Sequence, residues 1–166
     1  MKALRFAAQL ALYAPLMALL AYFSTEPRFS VVEPGEALVR VSFIHATERR
    51  QACRERSAEE LAKLPPNMRA AQDCPRERAP LLIELEVDGK VVLRREVPPS
   101  GLKNDGNATV YHRLPVPAGK HRVVARLRDR ASGDFNYTKE ETVQLAPGGV
   151  LLIDFVATKG GFVFRT

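Results

Sequence analysis

Tryptophan is absent from this chain of 166 residues, which also holds only three histidines and two cysteines. Cys53 and Cys74 stand too far apart for a Cys-x-x-Cys motif, so they indicate neither thioredoxin chemistry nor a zinc ribbon. No serine lies in a Gly-x-Ser-x-Gly context, and no glycine run opens a helix to hold a phosphate. We therefore expect a protein that is not an enzyme and has no cofactor.

Charge is carried in both signs, with a formal net charge of +6. No basic stripe is interleaved with aromatic residues, so we expect no nucleic-acid partner. Mild basicity of this kind favours the anionic headgroups of a membrane or an acidic protein surface.

Long apolar runs are also scarce, and the single one covers residues 6–23. As a helix it would be about 27 Å long, close to the roughly 30 Å core of a bilayer. Lys2 and Arg5 precede it, and positive charge favours the cytoplasmic side of a membrane. Alanine and arginine are abundant, as in GC-rich bacterial genomes. We expect residues 1–23 to anchor the chain in a bacterial inner membrane, with the rest in the periplasm.

Two alternatives for this segment stay open, a cleaved signal peptide and a soluble amphipathic helix. Cleavage needs small residues three before and one before the cut, and each such pair near Phe23 contains a bulky residue. After the anchor we expect a spacer over residues 24–36, broken by Pro27 and Pro34.

Alternating apolar and polar residues predict seven to eight short strands over residues 37–166. The strongest local signal is Asp88-Gly89, a pair suited to a two-residue hairpin turn. A second strand pair is expected around the corner at 115–119. The predicted strands are 37–46, 81–87, 90–97, 108–114, 121–128, 137–145, 150–157 and 162–164.

Strand number and turn spacing predict an antiparallel, immunoglobulin-like β-sandwich. Alternation places Arg40 on the outer face of its strand, and it places Glu84, Glu86, Arg122, Arg126 and Arg128 on solvated outer faces. The stretch 114–127 is similar to the Pro-x-Gly-x-His-x-Val-x-Val hairpins of small bacterial β-sandwich modules. The whole chain resembles uncharacterised membrane-anchored periplasmic proteins of proteobacteria; this resemblance implies a fold and a location but no activity.

Residues 47–80 interrupt the strand pattern as a charged insertion. Ser57 and Glu60 have the spacing of a capping box, which predicts a short helix that ends before Pro65-Pro66. In an oxidising compartment we expect a disulfide between Cys53 and Cys74. Closing a loop of this size stabilises a fold by about 3 kcal/mol in the chain-entropy model.

The insertion is our candidate docking surface, and we expect an accessory or assembly subunit on the exported face of a membrane complex, such as a respiratory electron-transfer complex. Arginine suits interfaces because its planar fork pairs bidentately with carboxylates. A solvated charged loop is the equally weighted alternative. The candidate residues are Arg49, Arg50, Arg54, Arg56, Leu61, Leu64, Met68, Arg69, Arg76 and Arg78.

The histidines support a second hypothesis from a different class. His45, His112 and His121 are candidate ligands for a metal- or small-ligand-binding module. His121 follows a turn, so a hydrogen bond to the loop is the simpler interpretation. An envelope hydrolase is a third and weaker alternative.

Overall fold

The computed structural model describes residues 2–26 and 32–166, as two compact units divided after Glu33. The first contains α1 (Lys2–Thr25), and none of its residues is buried. At 1.5 Å per residue its 24 residues span about 36 Å, and it is long and apolar enough to cross a membrane. Part of the predicted spacer, residues 27–31, lies outside the described residues.

The second unit is built on two four-stranded sheets. The first sheet has the order β10-β9-β1-β6, and the second sheet has the order β5-β4-β7-β8. A two-stranded pair, β2-β3, stands apart. The strands are β1 (Glu36–His45), β2 (Arg54–Glu55), β3 (Gln72–Asp73), β4 (Leu81–Val87), β5 (Lys90–Val97), β6 (Ala108–Pro117), β7 (Gly119–Arg128), β8 (Tyr137–Leu145), β9 (Val150–Val156) and β10 (Gly161–Arg165).

A single hydrophobic core lies between the two sheets. Side chains alternate along a strand, so every second residue faces this core. Val41 of the first sheet and Leu85 and Leu127 of the second are almost fully buried there. Each such aliphatic side chain stabilises the fold by about 1.5–3 kcal/mol relative to exposure. The prediction of a mainly β protein with antiparallel sheets behind a long apolar helix is confirmed.

The β4–β5 hairpin turns at the predicted dipeptide. Asp88 has φ 51° and Gly89 has φ 81°, the positive values that a type I′ turn requires. The pairing of β4 with β5 shifts register between Leu85 and Glu86 of β4, as at a β-bulge. The local sequence signal therefore gave the correct strand pair.

The strand order differs from that of immunoglobulin constant domains. In those domains the first, second, fifth and fourth strands share a sheet. Here β1 lies between β6 and β9, and it pairs with β9 in parallel, Leu38 opposite Val150. Residues from near the two ends of the domain thus form the centre of the first sheet.

The predicted pairing of β6 with β7 is wrong. Strand β6 pairs with β1 at the edge of the first sheet, whereas β7 lies inside the second sheet, between β4 and β8. Pro115 and Pro117 lack the amide hydrogen of a ladder, which suits them to an edge strand. The chain crosses from one sheet to the other at Ala118, the residue between the two strands.

Candidate docking surface

The base of the insertion is held closely against the sandwich. The Thr47 hydroxyl is buried and donates to the carbonyl of Ala79 at 2.6 Å. The amide of Ala79 donates in turn to the carbonyl of Glu48, 2.8 Å away. The two ends of the insertion therefore leave the core side by side.

Beyond this base the insertion is closed on itself. Cys53 and Cys74 form the predicted disulfide, and directly beyond it Arg54 and Glu55 of β2 pair with Asp73 and Gln72 of β3. These two short strands pair with each other and join neither sheet. Neither has a buried residue.

The helix of the insertion is α2 (Ala58–Ala62), and its N-terminus is the predicted capping box. The Glu60 carboxylate accepts from the Ser57 amide at 2.9 Å, and the Ser57 hydroxyl accepts from the Glu60 amide at 3.3 Å. The Ser57 amide, followed by the Arg54 guanidinium, lowers the pKa of Glu60. A 3₁₀ turn over Pro66–Met68 follows.

Three of the predicted docking arginines are paired inside the insertion. Arg50 lies 2.7 Å from Glu77, and Arg54 lies 2.9 Å from Glu60. Arg56 lies 3.1 Å from Asp73. These pairs partly neutralise the charge of the three cations.

The remaining arginines differ in how they are held. Arg49 lies 3.5 Å from Cys53 Sγ, and Arg69 donates to the carbonyl of Leu64 at 3.0 Å. Arg78 donates to the carbonyl of Thr47. Arg76 is exposed and has no ion pair or hydrogen bond within residues 2–26 and 32–166.

Apolar side chains accompany these cations. Met68 is 60% exposed, whereas Leu61 and Leu64 are half-buried. Of the three predicted anchors, Met68 is therefore the most exposed.

Sequence analysis missed that residues 98–107 adjoin the insertion. The Arg78 amide donates to the carbonyl of Asn104 at 2.9 Å, and its Nε donates to that of Asp105 at 3.3 Å. Lys103 and Asn104 line an open cleft with Pro75, Arg76 and Glu77. Leu102 is wholly exposed in this loop. A large apolar residue among turn residues was the signal available in the sequence.

The three histidines are not brought together. His45 ends β1, while His121 Nε2 donates to the carbonyl of Pro117, which pairs with the first residue of β1. Nine residues of strand, roughly 30 Å, separate these positions. His112 is half-buried on β6 opposite Val41, between them. No cluster of three metal-ligating residues occurs within the described part of the chain.

Two histidines have acidic partners. His121 Nδ1 lies 2.6 Å from Asp88, and this bond, with that to Pro117, raises the pKa of His121. His45 Nε2 lies 2.8 Å from the buried Asp129, whose other oxygen accepts from Asn136 at 2.8 Å. Both arrangements tie loops to strands; the predicted loop hydrogen bond of His121 is confirmed.

Ion pairs between neighbouring strands line the outer face of the second sheet. Glu84 faces outward as predicted but is buried, because Arg126 at 2.7 Å and Arg94 at 3.3 Å cover its carboxylate. Arg126 also lies 3.0 Å from Glu86. The expectation that Glu84 is solvated is therefore wrong.

Comparison with known proteins gave no relative. No protein-family model matches the chain. No curated protein is similar to it. No solved structure matches it.

Proposed function

We propose that this protein is a non-enzymatic, membrane-tethered accessory or assembly subunit whose domain docks, through the insertion, on a membrane protein complex. The helix α1 is the anchor, in the inner membrane of a bacterium, and the domain faces the periplasm. A helix of spanning length with Lys2 and Arg5 in its N-terminal turn supports the orientation. The Cys53–Cys74 disulfide supports an oxidising compartment.

The observation that carries this proposal is that the insertion is held by contacts within itself and adds almost nothing to the hydrophobic core. Neither its helix nor its two strands bury a residue. The disulfide, the capping box and three ion pairs nevertheless close it on itself. Ordering such a segment costs conformational entropy without adding to the core. Long ordered loops of this kind commonly carry function.

The surface so presented is basic with an apolar anchor. Arg69 is exposed directly after the exposed Met68, and Arg76 is exposed further along the insertion. Neither cation has an ion pair within the described residues, 2–26 and 32–166. Arginine and methionine are enriched at the centre of protein interfaces. We infer an acidic partner surface with an apolar pocket, and a respiratory electron-transfer complex is the first class of partner to examine.

The sandwich is the rigid support of this surface. We use the term immunoglobulin-like for it in the architectural sense alone, two packed and mainly antiparallel sheets with loops at their ends. The alternative of a metal-binding module gains no support from histidines that lie on three different strands, β1, β6 and β7, and are not brought together.

The decisive experiment replaces residues 54–73 with a short Gly-Ser linker, leaving Cys53 and Cys74 in place. The sandwich should stay folded, since the insertion contributes so little to the core, and the native partner should be lost from a mild-detergent purification. Arg76→Gln should weaken recovery, whereas Arg122→Gln, a matched exposed arginine on the second sheet, should leave it unchanged.

Recovery of the partner at the same yield from the linker variant would exclude the insertion as the docking surface. Stoichiometric metal in the purified wild-type protein, lost on His45→Ala, would instead support the metal-binding alternative.

A further inference from the structure

The outer face of the first sheet carries a row of arginines. Arg40 of β1 pairs directly with Arg113 of β6. On its other side Arg40 lies opposite Leu152 of β9, which pairs with Arg165 of β10. Directly opposed residues point to the same face of a sheet. The arginine row, Arg40, Arg113 and Arg165, therefore crosses all four strands.

These cations have no acidic partner within the described residues, 2–26 and 32–166. None of the three forms an ion pair, and Arg40 Nε is buried without a protein acceptor. Like charges placed directly opposite each other destabilise a sheet, and a buried unpaired donor costs about 1–3 kcal/mol. On the outer face of the second sheet, by contrast, Arg122 pairs with Glu140 and Arg126 pairs with Glu84.

Apolar side chains border the row. Ile44 is 63% exposed and Tyr111 is 57% exposed, an unusual degree for strand residues of this size. The face contains no lysine, and its acids are Glu36, at the start of β1, and Asp154, which accepts from the Phe155 amide. Tyrosine and arginine with few lysines is the composition of interface centres.

We propose that the arginine row binds an acidic segment of a partner protein, with carboxylates distributed over about 15 Å. Three strand spacings of roughly 4.8 Å separate Arg165 from Arg113, which sets this length. Each guanidinium can donate two parallel hydrogen bonds to a carboxylate, and an occupied row relieves the repulsion between Arg40 and Arg113. The inference rests on the docking role proposed above only in its choice of a protein partner.

A lipid headgroup fits this face less well. Segments that bind anionic lipids carry clusters of about four to eight basic residues, and this face has three. An isolated phosphate would also leave the outlying Arg165 unused, because Leu152 separates it from Arg40.

The test titrates full-length protein in a neutral detergent into a fluorescein-labelled hexaglutamate peptide and follows the anisotropy. The Arg40→Gln/Arg113→Gln double variant should bind at least tenfold more weakly than wild type. The matched control is Arg122→Gln/Arg130→Gln, which removes two exposed, ion-paired arginines elsewhere and should stay within twofold. Arg113→Lys, on the edge strand, keeps the charge and should lose a smaller part of the affinity.

Equal weakening in the control variant would show that net charge alone binds the peptide and would overturn the proposal. Absence of binding to wild type would do the same. Stronger displacement by glycerol 3-phosphate than by unlabelled hexaglutamate would assign the row to lipid headgroups instead. If the Gln double variant fails to fold, Arg113→Lys alone decides, since an unchanged affinity there contradicts bidentate pairing.

The two proposals can fail separately. A failed partner purification with retained peptide binding would reject the accessory role while the arginine row stands.

Discussion

His121 and Asp88 lock the turn of the β4–β5 hairpin to the first residues of β7. Nδ1 of His121 lies 2.6 Å from one carboxylate oxygen of Asp88, and the other oxygen accepts from the Arg122 amide at 2.9 Å. Nε2 of His121 donates to the carbonyl of Pro117 at 2.7 Å. Because both ring nitrogens face acceptors, the imidazolium is the form that satisfies all these contacts.

We predict a stability maximum in mildly acidic solution from this pair. The hydrogen bond to Asp88 raises the pKa of His121 above its ordinary 6.5, so the stabilisation is complete below about pH 6.5 and is lost as pH rises through the raised value. The hydrogen bond from His121 lowers the pKa of Asp88 below its ordinary 3.8, so its share is lost as pH falls through the lowered value.

Asp88→Asn tests this pH dependence without disturbing the turn, since asparagine tolerates the positive φ. Urea unfolding midpoints measured from pH 4 to pH 9 should decline above pH 6.5 in wild type and vary less in the variant. Parallel curves for the two proteins would show that the pair does not govern the pH response.

Reduction of the Cys53–Cys74 disulfide should loosen residues 50–80 and spare the sandwich. The constraint is worth about 3 kcal/mol to the ordered insertion, whereas the core lies in the two sheets. Limited trypsin digestion of reduced protein, or of Cys53→Ser/Cys74→Ser, should cut within the insertion first. Two free thiols in untreated exported protein, measured by alkylation and mass, would rule out the disulfide.

Glu84→Gln should destabilise the domain by about 1–3 kcal/mol, because it leaves a buried group among cations that lose their counter-charge. Glu140→Gln is the matched exposed variant: its carboxylate pairs with Arg122 at 2.6 Å on the same sheet. Exposed pairs contribute little, so its unfolding midpoint should not change measurably. Similar losses in both variants would argue against burial as the cause.

A reporter enzyme that folds only outside the cytoplasm should be active when fused after Thr166. This is the proposed orientation, because Lys2 and Arg5 favour the cytoplasmic side, and changing both to glutamate should lower the activity. Activity confined to a cytoplasmic reporter at the same site would contradict the predicted topology.

Local signals in the sequence proved sufficient for local structure. Asp88-Gly89 and Ser57…Glu60 each specify their own hydrogen bonds within a few residues, and both the hairpin and the capping box are present as predicted. The disulfide was predictable because two cysteines leave one pairing.

Long-range pairing was not predictable from the same signals. Alternation shows which residues of β6 face the core, but the sequence of a strand does not name its neighbour, and β6 was assigned to β7 instead of β1. Likewise alternation placed Glu84 and Arg40 on outer faces correctly. Whether an outer residue meets a counter-charge depends on the neighbouring strands, so neither the burial of Glu84 nor the arginine row was foreseen.

The parallel pairing of β1 with β9 makes the order of synthesis matter. Leu38 emerges from the ribosome early, yet its partner Val150 follows only after nearly the whole domain. The β4–β5 hairpin joins neighbouring segments and can form as soon as both are synthesised. One edge of β1, in contrast, stays unpaired until β9 is made, and an unpaired strand edge is prone to aggregation. A chain that stops before β9 could still pair β1 with β6, but the other edge of β1 would stay open.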